Sequence, residues 1–556
     1  MRSQAMASSD GDVPGQRSHL KVLGEVARVS ASEYDYGLFW KEYMRANKPV
    51  VLTGLMESWR SCEDWVLESG APNLDFIGEN FGSSRVQVAD CARKEFSDQK
   101  RQDMTVRQFV DYWSALRDDA ASNCNSESRL LYLKDWHFVK EFPAYCAYNT
   151  PEAFSDDWLN TFLDAFQMHS VSAEITPKSS NDDNQCSDYR FVYMGPKGTW
   201  TPLHADVLRS YSWSANVCGR KKWLLLPPEQ VELVYDRFRR NTVYDIFSEV
   251  SEQQFPGFSQ TRWMECDQGP GEILFVPSGW FHQVTNVEDT ISINHNWLNG
   301  CNLHWAWKLL RKEYRETVES IEDIRSIAND FEMLCQRNLA ANSGMNYLDF
   351  AIFVAKMVDG NIGLLWDLFQ KSFGEKKLAL IEDSVWKCTI HQCLFNLLQM
   401  KQILEEMILE DAFQLGDSFA VTVNCKFLES VYNVRAESDD CTAPLDGKLA
   451  VEYARSPEMR FISAFFRVFS LMEDTVSSQP IEITDLLTED DQNLSDAKLD
   501  QELPRQRAAE DSGPLLILKA IQAWAMRMHA FTRLCRIGRE AHTGPRSVMF
   551  RKPSYL

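Results

Sequence analysis

The sequence predicts an α+β chain built around a β-barrel or sandwich of the jelly-roll kind. Three observations carry that reading. Between residues 189 and 300, short β-rich runs follow one another, punctuated by Pro and Gly. Ahead of them, from 19 to 175, helical and strand-like patterns are mixed. After Gly300 the apolar residues fall three and four apart, the period of a helix.

Taken in order, residues 1–18 are small, polar and Gly/Pro-bearing, the composition of a disordered tail. In the N-terminal α/β part, 19–175, Tyr34 to Met44 reads as a helix and Pro49 to Gly54 as a strand ending in a turn. Val86 to Ala89 and Arg129 to Trp136 read as strands, and Met104 to Trp113 as a helix with Thr105 at its N-cap. A polar loop is expected over 178–188. The barrel core, 176–300, takes its strands from Tyr189–Met194, Ser210–Val217, Lys222–Leu226, Gly271–Val276 and Thr290–Trp297. The spacing of Tyr314, Val318, Ile321, Ile324, Ile327, Phe331 and Leu334 then predicts a helix, opening a helical region over 301–472. An acidic stretch, 473–513, reads as a flexible linker, and 514–556 as a last helix with a basic tail.

The formal charge of −22, from 58 basic against 80 acidic residues, opposes nucleic-acid binding by counterion release. A basic protein or peptide is the easier partner. The 14 cysteines are scattered from Cys62 to Cys535 without a CxxC pair and read as reduced thiols, expected in the cytoplasm or the nucleus. With no apolar leader and no run of about 18 apolar residues, neither secretion nor membrane spanning is expected.

Two distant segments carry the chemistry: Thr201-Pro-Leu-His204-Ala-Asp206 and, 78 residues later, Gly279-Trp-Phe-His282. On a strand His204 and Asp206, two apart, point the same way, and His282 can close a facial set. Two imidazoles and a carboxylate suit non-haem Fe(II), because they occupy one face of an octahedron and leave positions for a co-substrate and O2. The remaining histidines, His137 and His295 among them, lack this context and default to structure. A dicarboxylate co-substrate needs a cation, for which Lys221 is the choice; Arg220 and Lys222 are rivals that strand alternation sends to the other face. Thr201 and Tyr132 can add hydroxyls. On the last strand Ser292, Asn294 and Asn296 share one face, making Asn294 and Asn296 candidate co-substrate contacts.

Residues 189–300 resemble a JmjC domain, the cupin-like double-stranded β-helix of Fe(II) and 2-oxoglutarate oxygenases. The resemblance rests on Met194 to Asp206, Ser212 to Trp223, Phe275 to Val284 and Asp289 to Trp297. Residues from about 19 to 175 are similar to the part that precedes this domain in small JmjC hydroxylases, where a Leu-Tyr-x-x-Asp segment like the one holding Tyr132 supplies a co-substrate tyrosine. The core is similar to the jumonji domain-containing protein 4 group, lysyl hydroxylases of the translation release factor. The resemblance implies that His204, Asp206 and His282 bind iron and that Lys221 and Thr201 bind the 2-oxoglutarate carboxylate. It also implies a co-substrate contact at Asn296, while Ser214 stands where several relatives carry an asparagine. Ascorbate is expected to help turnover.

Three functions follow as expectations: a hydroxylase of a protein side chain, most directly a release-factor lysine; an N-methyl-lysine or N-methyl-arginine demethylase using the same iron chemistry; and a non-catalytic cupin-like adaptor. An adaptor predicts a broken ligand set, whereas all three ligands are present. The C-terminal helices either pack on the barrel or offer a docking or dimerisation surface.

Overall fold

The computed structural model describes residues 20–33, 35–121, 129–166, 188–328, 330–374 and, in part, 392–410. The expected tail over 1–18, most of the loop over 178–188, the acidic linker and the terminal helix lie outside the described residues. The chain divides into two compact units, Met1–Asp349 and Phe350–Leu556. In the second, the helix Tyr347–Gly374 continues past Phe350, and helical residues recur between 392 and 407. No helix among the described residues is long and apolar enough to cross a membrane.

The first unit holds fourteen strands among its described residues. They are β1 (Lys21–Glu25), β2 (Ala27–Ser30), β3 (Val50–Thr53), β4 (Arg85–Glu95), β5 (Asp98–Thr105), β6 (Leu131–Trp136) and β7 (Arg190–Gly195). There follow β8 (Trp200–His204), β9 (Tyr211–Cys218), β10 (Lys221–Leu226), β11 (Arg262–Gln268), β12 (Glu272–Val276), β13 (Phe281–Asn286) and β14 (Thr290–Trp297). The smaller sheet runs β1-β11-β10-β13-β8 and the larger β2-β3-β12-β9-β14-β7-β6-β4-β5. Within them, β8, β10, β11 and β13 face β7, β9, β12 and β14 in antiparallel order, the jelly roll that the sequence predicts.

The part ahead of the barrel adds strands to these same sheets rather than making a sheet of its own. β1 extends the small sheet; β2 and β3 widen one side of the large sheet and β6, β4 and β5 the other. The helix Val106–Ala121 starts on the expected cap: Gln108 N donates to Thr105 Oγ1 at 3.2 Å and Thr105 N donates to Gln108 Oε1 at 2.9 Å, a reciprocal capping box.

Strand alternation sorts the side chains into three layers. Trp223, Leu225, Leu274, Val276 and Val284 fill the barrel interior. Leu224, Leu226, Trp263 and Phe281 point out of the small sheet and are covered by Val234, Val243, Ile246 and Phe258 from the long β10–β11 connection. Trp213, His295, Trp297 and Phe275 point out of the large sheet into an aromatic layer with Phe39, Trp59, Tyr148 and Phe154. Each ring pair of this kind contributes about 0.5–1.5 kcal/mol beyond its buried area.

One expected helix is two. The helix Leu303–Ser320 stops at Ile321, whose φ of −124° is not helical, and a new helix, Phe331–Ser343, starts where the Asp330 carboxylate accepts from Met333 N. The apolar spacing runs through the break, and Ile327 within it is 77% exposed.

Candidate active site

His204 ends β8 and His282 is the second residue of β13, and the two are direct cross-strand partners. Their ring centroids lie 4.4 Å apart. Each ring is pinned in the same way: His204 Nδ1 lies 2.8 Å from the Pro202 carbonyl and His282 Nδ1 lies 3.0 Å from the Trp280 carbonyl. A carbonyl can only accept, so both Nδ1 atoms carry the proton and both Nε2 lone pairs are free. Burial, with His282 alongside, pushes His204 down to about 4, which keeps it neutral.

Asp206 completes the set, with one ligand atom from each of the three residues within 4.8 Å of the others. It does so from a different position than expected. The strand ends at His204, and Asp206 opens a short 3-10 turn, Val207–Arg209, whose Leu208 and Arg209 are left-handed. The turn, not strand alternation, brings the carboxylate back beside the histidines. Ser212 Oγ donates to Asp206 Oδ2 at 2.7 Å, which leaves Oδ1 for a ligand.

Thr201 stands an odd number of residues before His204, which on a regular strand would turn it away. Instead His282 pairs with His204 and Val284 with Thr201, so two steps on β13 answer three on β8. The β8 bulge restores Thr201 to the inward face, because cross-strand partners share a face. The Pro202 carbonyl that pins His204 lies within that bulge.

Lys221 points inward at the other end of β10 and is 2% exposed. Its ammonium donates to Ser292 Oγ at 2.8 Å and lies 3.4 Å from the Tyr132 hydroxyl. Both are neutral, so burial without a carboxylate drives Lys221 down to about 7. The same burial pushes the Tyr132 phenol up. Lys222 turns to the outer face and pairs with Glu265 and Asp267, each at 2.8 Å, and Arg220 is exposed in the preceding turn. Leu225 sits opposite His282, so Lys221 is four residues, about 13 Å of strand, from the level of the histidines.

The wall joining the two ends is polar. Ser292 pairs with Asn216, Asn294 with Ser214 and Asn296 with Ser212 across β14 and β9, all on the inward face. Asn294 Nδ2 donates to Ser292 Oγ at 3.1 Å, and Asn296 Nδ2 donates to Ser210 Oγ at 3.2 Å. Ser214 Oγ and Asn216 Oδ1 are buried without a hydrogen-bond partner, which marks a wall made to receive a polar molecule. Sequence reasoning passed over Ser212, Ser292 and Asn216 as site residues. The signal was there in Ser212-Trp-Ser214-Ala-Asn216, a polar period of two beside a fully buried Trp213. His295 and His137 lie elsewhere: His295 stacks on Trp213 outside the barrel and bonds Tyr148, and His137 Nδ1 is 2.5 Å from Asp188.

The donor set fits a divalent iron: two free imidazole nitrogens and one free carboxylate oxygen gathered within 4.8 Å of one another. Lys221, at a strand's length, fits the far carboxylate of a dicarboxylate that chelates the metal.

A family model described as a cupin-like domain matches residues 37–302. The chain is 54% identical over 389 residues to a protein of Arabidopsis thaliana named arginine-specific demethylase JMJ20, covering 70% of this chain and 80% of that protein. It is 38% identical to the 2-oxoglutarate and iron-dependent oxygenase JMJD4 of Danio rerio, over 69% of this chain and 86% of the relative. To the human protein of the same name it is 34% identical, over 78% and 96%. With these likenesses spanning most of the relatives' length, and with the barrel and the His204–Asp206–His282 cluster in place, the chain belongs to the cupin-like JmjC family of 2-oxoglutarate and iron-dependent oxygenases.

Proposed function

We infer that this chain hydroxylates a side chain of a polypeptide, a lysine of a translation release factor being the favoured target. The observation that carries the oxygenase chemistry is the pairing, inside one barrel, of the His204–Asp206–His282 cluster with the carboxylate-free Lys221 ammonium. The likeness of the core to the lysyl hydroxylase group carries the target. When bound, iron with 2-oxoglutarate and O2 supplies the oxidising power for cleaving a substrate C–H bond.

The chain's own residues do the positioning. Lys221, Ser292, Tyr132 and Thr201 bind the far carboxylate of the co-substrate, and Asn294 and Asn296 line its path. Ser212 orients the Asp206 carboxylate, while the Pro202 and Trp280 carbonyls hold the two imidazoles in the ligand tautomer. Trp223, with its ring 5.5 Å from that of His282, and Val284 keep the interior dry between the two ends.

A second reading, N-methyl-arginine demethylation, is favoured by the 54% identical relative named for that activity. Both reactions use the same metal site, because a hydroxylated N-methyl group leaves as formaldehyde. The experiment is mass spectrometry of a release-factor protein and of methyl-arginine peptides, each incubated with the chain, Fe(II), 2-oxoglutarate and ascorbate. A gain of one oxygen on a lysine supports the hydroxylase; loss of methyl with formaldehyde supports the demethylase. Neither change, with succinate still formed, would exclude both substrates.

A further inference from the structure

The two rings of the metal cluster are pinned by carbonyls of unequal support. Pro202, whose carbonyl holds His204, lies within β8, and the next residue, Leu203, donates its N–H to the Tyr244 carbonyl at 3.0 Å. Trp280, whose carbonyl holds His282, lies outside the strands, in the turn Pro277-Ser278-Gly279-Trp280 between β12 and β13. That turn is closed by Trp280 N donating to the Pro277 carbonyl at 3.4 Å, beyond the ordinary range for such a bond. Gly279, at a φ of 77°, supplies the reversal but no side chain to steady it.

The support comes from Asn47, 231 residues before Ser278. Asn47 Nδ2 donates to the Ser278 carbonyl at 2.9 Å, Ser278 N donates to Asn47 Oδ1 at 3.1 Å, and the Trp280 indole Nε1 donates to the Asn47 carbonyl at 2.8 Å. A carbonyl only accepts and an N–H only donates, so these partners fix which way the amide lies. The placement follows from the sheet. β3 and β12 pair with Val50 opposite Phe275, and counting that antiparallel register on by three residues sets Asn47 opposite Ser278. There the main chain of Asn47 has turned left-handed, with a φ of 52°, so its side chain makes the two bonds that a ladder backbone would have made. The bracket is itself anchored: Asn47 N donates to the Met44 carbonyl at 3.1 Å, and the same carbonyl accepts from the Tyr211 hydroxyl of β9 at 2.8 Å.

We propose that Asn47 is a positioning residue for the metal centre: it holds the Pro277–Trp280 turn in place, so that the Trp280 carbonyl keeps the His282 ring oriented with its proton on Nδ1 and leaves Nε2 for the metal. A ring free to rotate has to be ordered when the metal binds, and that ordering weakens the affinity. Asn suits the position because, of the few residue types that tolerate this φ, Gly has no side chain and a carboxylate cannot donate, whereas the amide does both. The role holds whichever side chain the chain oxidises.

The test titrates the full chain, stripped of metal, with Co(II) and follows its visible absorption. Asn47→Gly keeps the left-handed backbone and the carbonyl that Trp280 binds, and removes only the two amide bonds. Its Co(II) affinity is expected to fall about tenfold, within the range that loss of an outer partner costs a metal site. Asn73→Ala is the control for stability alone. It removes the side chain that accepts from Phe76 N at the start of the helix Leu74–Phe81, which contributes no residue to the cluster, so its Tm is expected to fall while its Co(II) affinity stays. An unchanged affinity in Asn47→Gly, or an equal fall in both variants, overturns the role. Should Asn47→Gly not fold, Trp280→Phe, which loses the indole donor but keeps the carbonyl, takes its place: a lower affinity supports the role and an unchanged one overturns it. His282→Ala sets the affinity left without the ligand, and an unmodified chain that binds Co(II) no more tightly than that variant would overturn the metal site itself and the role with it.

Discussion

The Lys221 ammonium ends on the Ser292 hydroxyl, 2.8 Å away and 71 residues later in the chain, in a barrel interior where its two bonded neighbours are both uncharged. A buried cation without an anion destabilises the fold that holds it, and an incoming dicarboxylate relieves that cost. Four expectations follow from this and from the geometry of the histidine end.

Replacing Lys221 by Met should raise the KM for 2-oxoglutarate by about tenfold or more, the size of a lost hydrogen bond between charged groups. In the unmodified chain Lys221 is held down to about 7, so the protonated form that binds the carboxylate dominates below that pH. The KM for 2-oxoglutarate is therefore expected to climb as pH rises through about 7, and the methionine variant to lose that slope. A variant with unchanged KM would move the role to another base.

The same substitution should stabilise the protein without its co-substrate. The folded pKa lies near 7 and the ordinary value at 10.5, so between them the unfolded chain binds more protons and the stability of the unmodified chain rises with pH. The gain in Tm of Lys221→Met is thus expected to be full below about 7 and to fade toward 10.5. Thermal melts at pH 6 and at pH 9 compare the two; a variant less stable than the parent at both would contradict the account.

His204→Ala or Asp206→Ala should abolish turnover while leaving the far-ultraviolet circular dichroism spectrum intact, since each removes a ligand but little of the packed interior. Ser212→Ala, which takes away the hydrogen bond to Asp206, should weaken iron binding by about 10–100-fold. Iron titration followed by turnover reads both. Full activity of either ligand variant would remove the proposed site.

Gly279 turns the chain into the segment that delivers His282, with a φ of 77°, and a methyl group there would lie 2.8 Å from the Trp305 ring. Gly279→Ala is expected to cost about 1–3 kcal/mol of stability from the backbone alone. It should also loosen the His282 ring, read as weaker iron binding alongside a lower Tm. Unaltered iron affinity would confine the effect of Gly279 to stability.

Much of the site was legible because its residue types are rare in that company: His204 with Asp206, and His282 after a Val-Pro strand end, have few structural uses together. Alternation also read correctly along β10 and β14, where regular pairing keeps Lys221 from Lys222 and Ser292 from Ile293. Alternation does not explain the placement where the ladder is irregular. Asp206 reaches the histidines through a turn with two left-handed residues, and Thr201 faces inward through a bulge. The helix expected across Ile321 to Ile327 is broken although its apolar spacing is not.

By itself, then, the sequence determined the jelly-roll class, the residues of the His204–Asp206–His282 cluster and the sign of the charge opposite it, because these depend on side-chain chemistry and on a period of two. Only the tertiary structure decided which way Thr201 points, that a turn rather than the strand brings Asp206 to the histidines, and that Lys221 meets Ser292 and Tyr132. The physical reason is that bulges, left-handed turns and partners 71 or 89 residues away are set by the closing of two sheets on one another. No local spacing encodes them.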